Sequence, residues 1–285
     1  NFDDPHLFDF ELANFKLLDN IIKTTQKKTL FFDEIQVVKG WELYIRQKLD
    51  EGFKVVVTGS NASLLSRELG TKLTGRHITK ELFPFSYEEF LSFKSLKSGA
   101  ASFQKYIDSG GFPEYVKTKN DDILINLFSD ILNRDIIVRH GIRDVRSLKS
   151  LAIYLASNVA NLVSASGLQQ PSGLKTPTLL DYFSFLQDAY LIDFMPKFSY
   201  SLKVQSVNPK KIFVIDSGII KIVSASFSED YGRILENLIY WELRRKWKDL
   251  YYFSENGKEC DFVITSNGKV EQLIQVCYEL TQENQ

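Results

Sequence analysis

The chain is poor in the features that staple, anchor or steer a protein. It has two cysteines in 285 residues, Cys260 and Cys277. They are too few and too clustered for a disulfide framework, so a reducing, cytoplasmic setting is expected. Its longest apolar runs are of strand length, against the roughly 20 residues that a membrane helix needs, so no membrane association is expected. No basic-then-apolar signal peptide opens it. Neither sign of charge dominates: 35 Lys and Arg face 36 Asp and Glu, a net charge of −1. Charge over the whole chain therefore argues neither for nor against nucleic acid, and any basic surface has to be local. No glycine precedes Gly40 and no segment reads GxxxxGK(S/T), the backbone cradle for nucleotide phosphates.

What is present is "TLFFDEIQ" (29–36), a strand that ends on two acids, Asp33 and Glu34. An aspartate at a strand end can hold Mg²⁺, and a glutamate beside it can orient and deprotonate an attacking water. A second run, "VVVTGSN", ends in Ser60 and Asn61, small polar residues suited to sensing a γ-phosphate. Arg76, in "LTGRH", is the candidate cation for transition-state charge, an arginine finger. Each feature alone is commonplace: acids end many strands, and a lone arginine is usually solvated surface. Their order and spacing together are more specific. "GTKLTGRH" (70–77) has glycines at phosphate-loop spacing, but Arg76 and His77 stand where Lys and Ser/Thr belong, and it follows both strands.

The chain reads as α/β, in four parts. Residues 1–98 alternate strands and helices, as a doubly wound parallel sheet does. "GWELYIRQKLDEG" places Trp41, Tyr44, Ile45 and Leu49 on one helical face and stops at Gly52. "FKVVVTGS" has the β-branched continuity of a strand buried on both faces. A helix is expected from Asn61, a short strand near "HITKELF", and a helix capped by Ser86 with Glu89 three residues on. Residues 99–162 read as helical, interrupted at "GGFPEY" (110–115). Residues 163–227 read as a winged helix: a helix over "TPTLLDYFSFLQDAYLI", with Thr176 as its cap, then strands broken by a polar turn around Val207–Lys211. Residues 228–285 read as one helix and a three-stranded meander, its turns marked by two Asn-Gly pairs.

"FDDP", "LFFDEIQ", "VVVTGSNASLL", "LTGRH", "LFPFSYEEFL" and "GGFPEY" resemble an AAA-superfamily ATPase group found in bacteria and archaea, whose members carry a C-terminal domain of unknown function. "TPTLLDYFSFLQDAYLI", "KIFVIDSGI", "GRILENLIYWELRR" and "GKECDFVI" resemble that domain. The resemblance covers essentially the whole chain. It implies a P-loop-type sheet, ATP and Mg²⁺ as cofactors, Asp33 as the Mg²⁺ ligand and Glu34 as the general base. Ser60 and Asn61 would form the sensor turn, and Arg76 the finger, acting on a neighbouring subunit of a homo-oligomer. In that family the phosphate loop lies upstream of the "FDDP" strand. The chain opens on Asn1 rather than methionine, so a missing N-terminus carrying the loop is expected, and tight nucleotide binding would need it.

The last region resembles the PD-(D/E)XK nuclease-like fold, with Glu236, Asp261, Gln275 and Cys277 at the positions of its acids, Glu/Gln and lysine. The acids suit Mg²⁺. A thiol cannot position water or neutralise phosphate as an ammonium does, which argues for a degenerate site. Glu236 and Asp261 merely capping and pairing within the meander is the plainer alternative. The helix from Thr176 has no lysine or arginine before Met195, only Asp181, Asp188 and Asp193, and makes a poor DNA reader. Lys197, Lys203, Lys210 and Lys211, around the wing, are the candidate nucleic-acid contacts. Arg134, Arg139, Arg143, Arg146 and Lys149 could face phosphates or pair with acids such as Asp135 and Asp144. Three functions follow: an AAA-type ATPase whose C-terminal half binds a protein or DNA partner, a non-catalytic winged-helix/nuclease-like binding module, or a metal-dependent nuclease.

Overall fold

Thr29–Phe32 (β1) and Lys54–Val57 (β2) pair in parallel, Thr29 opposite Lys54 and Phe32 opposite Val57. A parallel pair needs a crossover, here Trp41–Asp50 (α2), which follows Phe15–Lys23 (α1) in the chain. The computed structural model describes residues 1–25, 27–59, 76–224 and 230–278. They divide into two units, Asn1–Glu81 and Leu82–Gln285.

In the first unit, Trp41, Tyr44 and Ile45 are buried as the helical spacing predicts, and Tyr44 stacks on Phe15 at 4.1 Å. Lys48 is buried on the same face. Its ammonium lies over the Tyr44 and Phe53 rings and meets Asp19 at 2.6 Å and Glu51 at 2.7 Å. Leu49 is only half-buried. Gly52 ends the turn at φ +84°.

Several local expectations need correction. β2 is half-buried rather than enclosed on both faces, and Phe31 of β1 is 75% exposed. Among the described residues, the packing partners of the two strands lie on one side. "HITKELF" forms no strand, with Ile78 and Leu82 exposed, since among the described residues no neighbour pairs with it. "FDDP" is no strand either: Asp4 caps a 3₁₀ turn over Pro5–Leu7 by accepting from the His6 N–H at 2.9 Å, and Pro5 has no N–H for a ladder. The helix expected from Asn61, and with it Ser60, lies outside the described residues.

The second unit opens with Tyr87–Lys94 (α3), capped reciprocally as expected: the Ser86 N–H donates to Glu89 at 2.8 Å and the Glu89 N–H to Ser86 Oγ at 3.2 Å. Ala100–Ser109 (α4), Pro113–Thr118 (α5), Asp121–Asp130 (α6), a π-helical stretch Ile131–Val138 and Val145–Ser157 (α7) make up the helical part. "GGFPEY" starts α5 with Pro113 in its first turn.

Leu162–Val163 (β3), Ala165–Ser172 (α8), Thr176–Asp188 (α9), Ile192–Met195 (β4), Leu202–Val207 (α10) and Lys210–Val214 (β5) follow. The strands form an antiparallel sheet in the order β3-β5-β4. Thr176 is the first helical residue of α9 and Lys175 holds the cap position. Leu179, Phe183 and Leu186 are buried, whereas Tyr190 lies past the helix end at φ +56°. The turn expected at Val207–Lys211 is instead the end of α10, where the Asn208 amide donates to the Val204 carbonyl at 2.7 Å. Lys210 and Lys211 belong to β5.

Ser217–Val223 (α11) is capped by Asp216. Tyr231–Arg244 (α12) then precedes a meander of Leu250–Glu255 (β6), Lys258–Ser266 (β7) and Lys269–Ile274 (β8). Both Asn-Gly turns take positive φ at both residues, as tight hairpins require. One apolar core runs from Tyr115 through β4 and β5 to Phe262 and Ile264 of β7. Among the described residues no helix is long and apolar enough to cross a membrane.

Candidate functional site

The parallel register of β1 and β2 brings the residues just beyond each strand side by side. The Thr58 N–H donates to the Phe32 carbonyl at 2.9 Å, and the Thr58 hydroxyl donates to Asp33 Oδ1. Asp33 is exposed, at the carboxyl end of a parallel strand, where α/β sheets bind ligands. Glu34 takes the left-handed conformation, φ +53° and ψ +38°, uncommon for a residue with a side chain and frequent at functional turns. The 3₁₀ turn Ile35–Val37 follows, pinned by buried Ile35 and Val38. The Gln36 amide donates to Glu34 Oε2.

An exposed aspartate anchored through one oxygen fits a Mg²⁺ ion, which takes one or two carboxylates, water and substrate phosphates. Thr58 is the residue that sequence reasoning passed over. Its signal was the strand register, because the first residue past β2 must lie beside the first residue past β1. Arg76 pairs with Asp50 at the end of α2, 2.5 Å apart with both side chains more than half exposed. Asn61, like Ser60, lies outside the described residues.

A second cluster forms in the larger unit. Lys211 Nζ lies 2.6 Å from Glu236 Oε1 and 2.9 Å from Asp261 Oδ1, with all three side chains under 15% exposed. The second Asp261 oxygen accepts from the Val276 N–H at 2.9 Å. Gln275 turns its carbonyl to the Asp261 N–H at 3.3 Å, and Cys277 is exposed. Burial pushes Glu236 up to about 7, against the pull of Lys211. Lys211, grouped by sequence with the wing lysines, is therefore committed to this corner.

The corner fits a divalent ion poorly. It offers two carboxylates already bridged by an ammonium, and among the described residues no three His, Cys, Asp or Glu side chains are placed to hold a metal. Lys203 stays exposed on α10, while Lys197 and Lys210 are half-buried. Upstream, Arg134 and Arg139 lie 3.6 and 3.7 Å from Asp135, and Asp144 caps α7 by accepting from the Ser147 N–H at 3.1 Å.

Residues 1–91 match the family model of an AAA domain, and residues 100–230 that of a domain of unknown function, DUF8612. An uncharacterized protein of Methanocaldococcus jannaschii, MJ1544, is 34% identical over 309 aligned positions, covering 100% of this chain and 69% of that protein. An uncharacterized protein of Haemophilus influenzae is 30% identical over 279 positions, covering 93% of this chain and 70% of that protein. No solved structure matches. The chain, which joins an AAA domain to a domain of unknown function, belongs to one family with these archaeal and bacterial proteins.

Proposed function

We propose that the first unit carries the hydrolytic edge of a Mg²⁺-dependent AAA-type ATPase. One observation carries the reading: the Thr58–Asp33 hydrogen bond across the ends of parallel strands, with Glu34 beside it in a left-handed conformation. Mg²⁺, when bound, would supply positive charge to offset the charge developing on the phosphate. Asp33 would hold it, with Thr58 fixing the carboxylate. Glu34 would take the proton of the attacking water. Ser60 and Asn61 keep their proposed role at the sensor turn, and exposed Arg76 that of a finger acting in trans within a homo-oligomer. Hydrolysis also needs a phosphate cradle, and no segment of the 285 residues reads GxxxxGK(S/T); a longer natural protein would have to supply it.

The test is ATP turnover by the natural full-length protein. Glu34→Gln should abolish turnover while sparing ATP binding. Wild-type turnover in that variant sinks the reading of Glu34 as base.

For the second unit we propose partner binding rather than cleavage. Two helices between β3 and β4, in a β3-β5-β4 sheet, support the winged-helix reading. Lys197, Lys203 and Lys210 are the cations left for a nucleic-acid partner. Binding should weaken steeply with added salt; a flat response argues for a protein partner. A helix followed by a meander supports a nuclease-like ancestry for residues 230–278, with Lys211 taking up the charge of its two acids. Mg²⁺-dependent nicking lost in Asp261→Ala would reverse that view.

A further inference from the structure

Gln36 lies two residues past the proposed base, and the two ends of its amide are treated unequally. Nε2 donates to Glu34 Oε2. Oε1 is buried with no hydrogen-bond partner among the described residues. Buried amide oxygens nearly always have a donor, and each exception asks for a cause. The residue as a whole is half-buried, so Oε1 is the enclosed end of a partly exposed side chain, on a turn held by buried Ile35 and Val38.

We infer that Gln36 is a water-orienting residue for ATP hydrolysis, its Oε1 being the second acceptor for the water that Glu34 activates. The inference rests on the reading of Glu34 as general base. An attacking water has two O–H groups. One must point at the base that removes its proton. The other needs an acceptor too weakly basic to take a proton, so that a lone pair stays aimed at phosphorus. An amide oxygen meets that need. Because Nε2 of the same amide already holds Glu34, a water admitted with nucleotide to the Glu34 carboxylate would come within bridging reach of Oε1.

In the step itself, the water oxygen bonds to the γ-phosphorus as the bond to the bridging oxygen breaks. That electron pair leaves with ADP. One water proton passes to Glu34 and on to solvent, and the other stays with the phosphate product. Closing Oε1 off from bulk water suits such a site, where only the water admitted with nucleotide should be held.

The experiment compares Gln36→Leu, Gln36→Glu and Glu34→Gln in the natural full-length protein, with ATP turnover, KM and thermal midpoint measured for each. Gln36→Leu should lower kcat about 10- to 100-fold, with KM and midpoint close to wild type. Gln36→Glu replaces the neutral acceptor by one basic enough to compete with Glu34 for the water's proton, and should also lower kcat. Wild-type kcat in Gln36→Leu, with Glu34→Gln inactive, overturns the role of Gln36 and leaves the base standing. An active Glu34→Gln overturns both. Should Gln36→Leu be too unstable to assay, Gln36→Glu decides, and wild-type kcat in that variant overturns the inference.

Discussion

The two acid-bearing sites of this chain are built in opposite ways. Asp33 and Glu34 are adjacent in sequence, near solvent, and held by short side-chain bonds to Thr58 and Gln36. Glu236 and Asp261 come from a helix and a strand, are largely buried, and meet through Lys211 from a third element. The first arrangement keeps Asp33 exposed and anchored through one oxygen. The second ties both acids to an internal lysine. A pair of acids bridged by a buried lysine serves the fold before it serves a ligand.

Removing that cation should have the largest effect. Lys211→Met leaves two buried carboxylates without a counter-charge, and should cost about 3–5 kcal/mol in urea unfolding. Adding Glu236→Gln and Asp261→Asn should return much of it. A loss under about 1 kcal/mol, as at exposed pairs, would mean that the corner is wetter than its burial implies.

Next comes Gly110→Ala. Gly110 sits at φ +64°, and a Cβ there would fall 2.0 Å from Asp216 Oδ1. Asp216 is fully buried, pushed up to about 6 by that burial, and accepts from the Gly111 N–H at 2.6 Å and the Gly218 N–H at 2.8 Å. The variant should lose about 2–4 kcal/mol, read as a fall in thermal midpoint. Thr58→Val, at the other site, should change stability by less than about 1 kcal/mol while raising the Mg²⁺ concentration needed for ATP turnover. An unchanged Mg²⁺ requirement removes Thr58 from the site.

Glu236 supplies a smaller, pH-dependent contrast. Its folded value, about 7, lies above the ordinary 4.5. The folded protein therefore binds that proton more tightly than the unfolded chain. Stability from this group is full below about 4.5 and is lost as pH rises through about 7. Thermal midpoints at pH 5 and 8 should differ less in Glu236→Gln than in wild type. The smallest effect is expected for Asp50→Asn. Its partner Arg76 is 53% exposed, and surface pairs of this kind contribute about 0–1 kcal/mol.

Much of the local architecture was legible from residues alone. Ser86 and Glu89 announce a capping box, both Asn-Gly pairs announce hairpins, and the α2 spacing announces Trp41, Tyr44 and Ile45 as core. These signals work because each is a contact within a few residues. The errors arose where position in the fold overrode pattern. "HITKELF" reads as a short strand but has no pairing neighbour among the described residues. The stretch after β4 looks extended, yet Leu202–Val207 closes into helix. Lys48 interrupts an apolar face and is buried all the same, because Asp19 and Glu51 satisfy its charge.

By itself the sequence determined the β1-α2-β2 start, the capping box and hairpin turns, the strand-end acids Asp33 and Glu34, and the glycines of "GGFPEY". Those follow from chain periodicity and backbone freedom, which are local properties. Only the tertiary structure decided that Thr58 belongs with Asp33, that Gly111 serves a carboxylate 105 residues away, and that Lys211 joins Glu236 and Asp261. Such partnerships depend on strand register and on which buried charges must find one another, and no spacing along the chain encodes them.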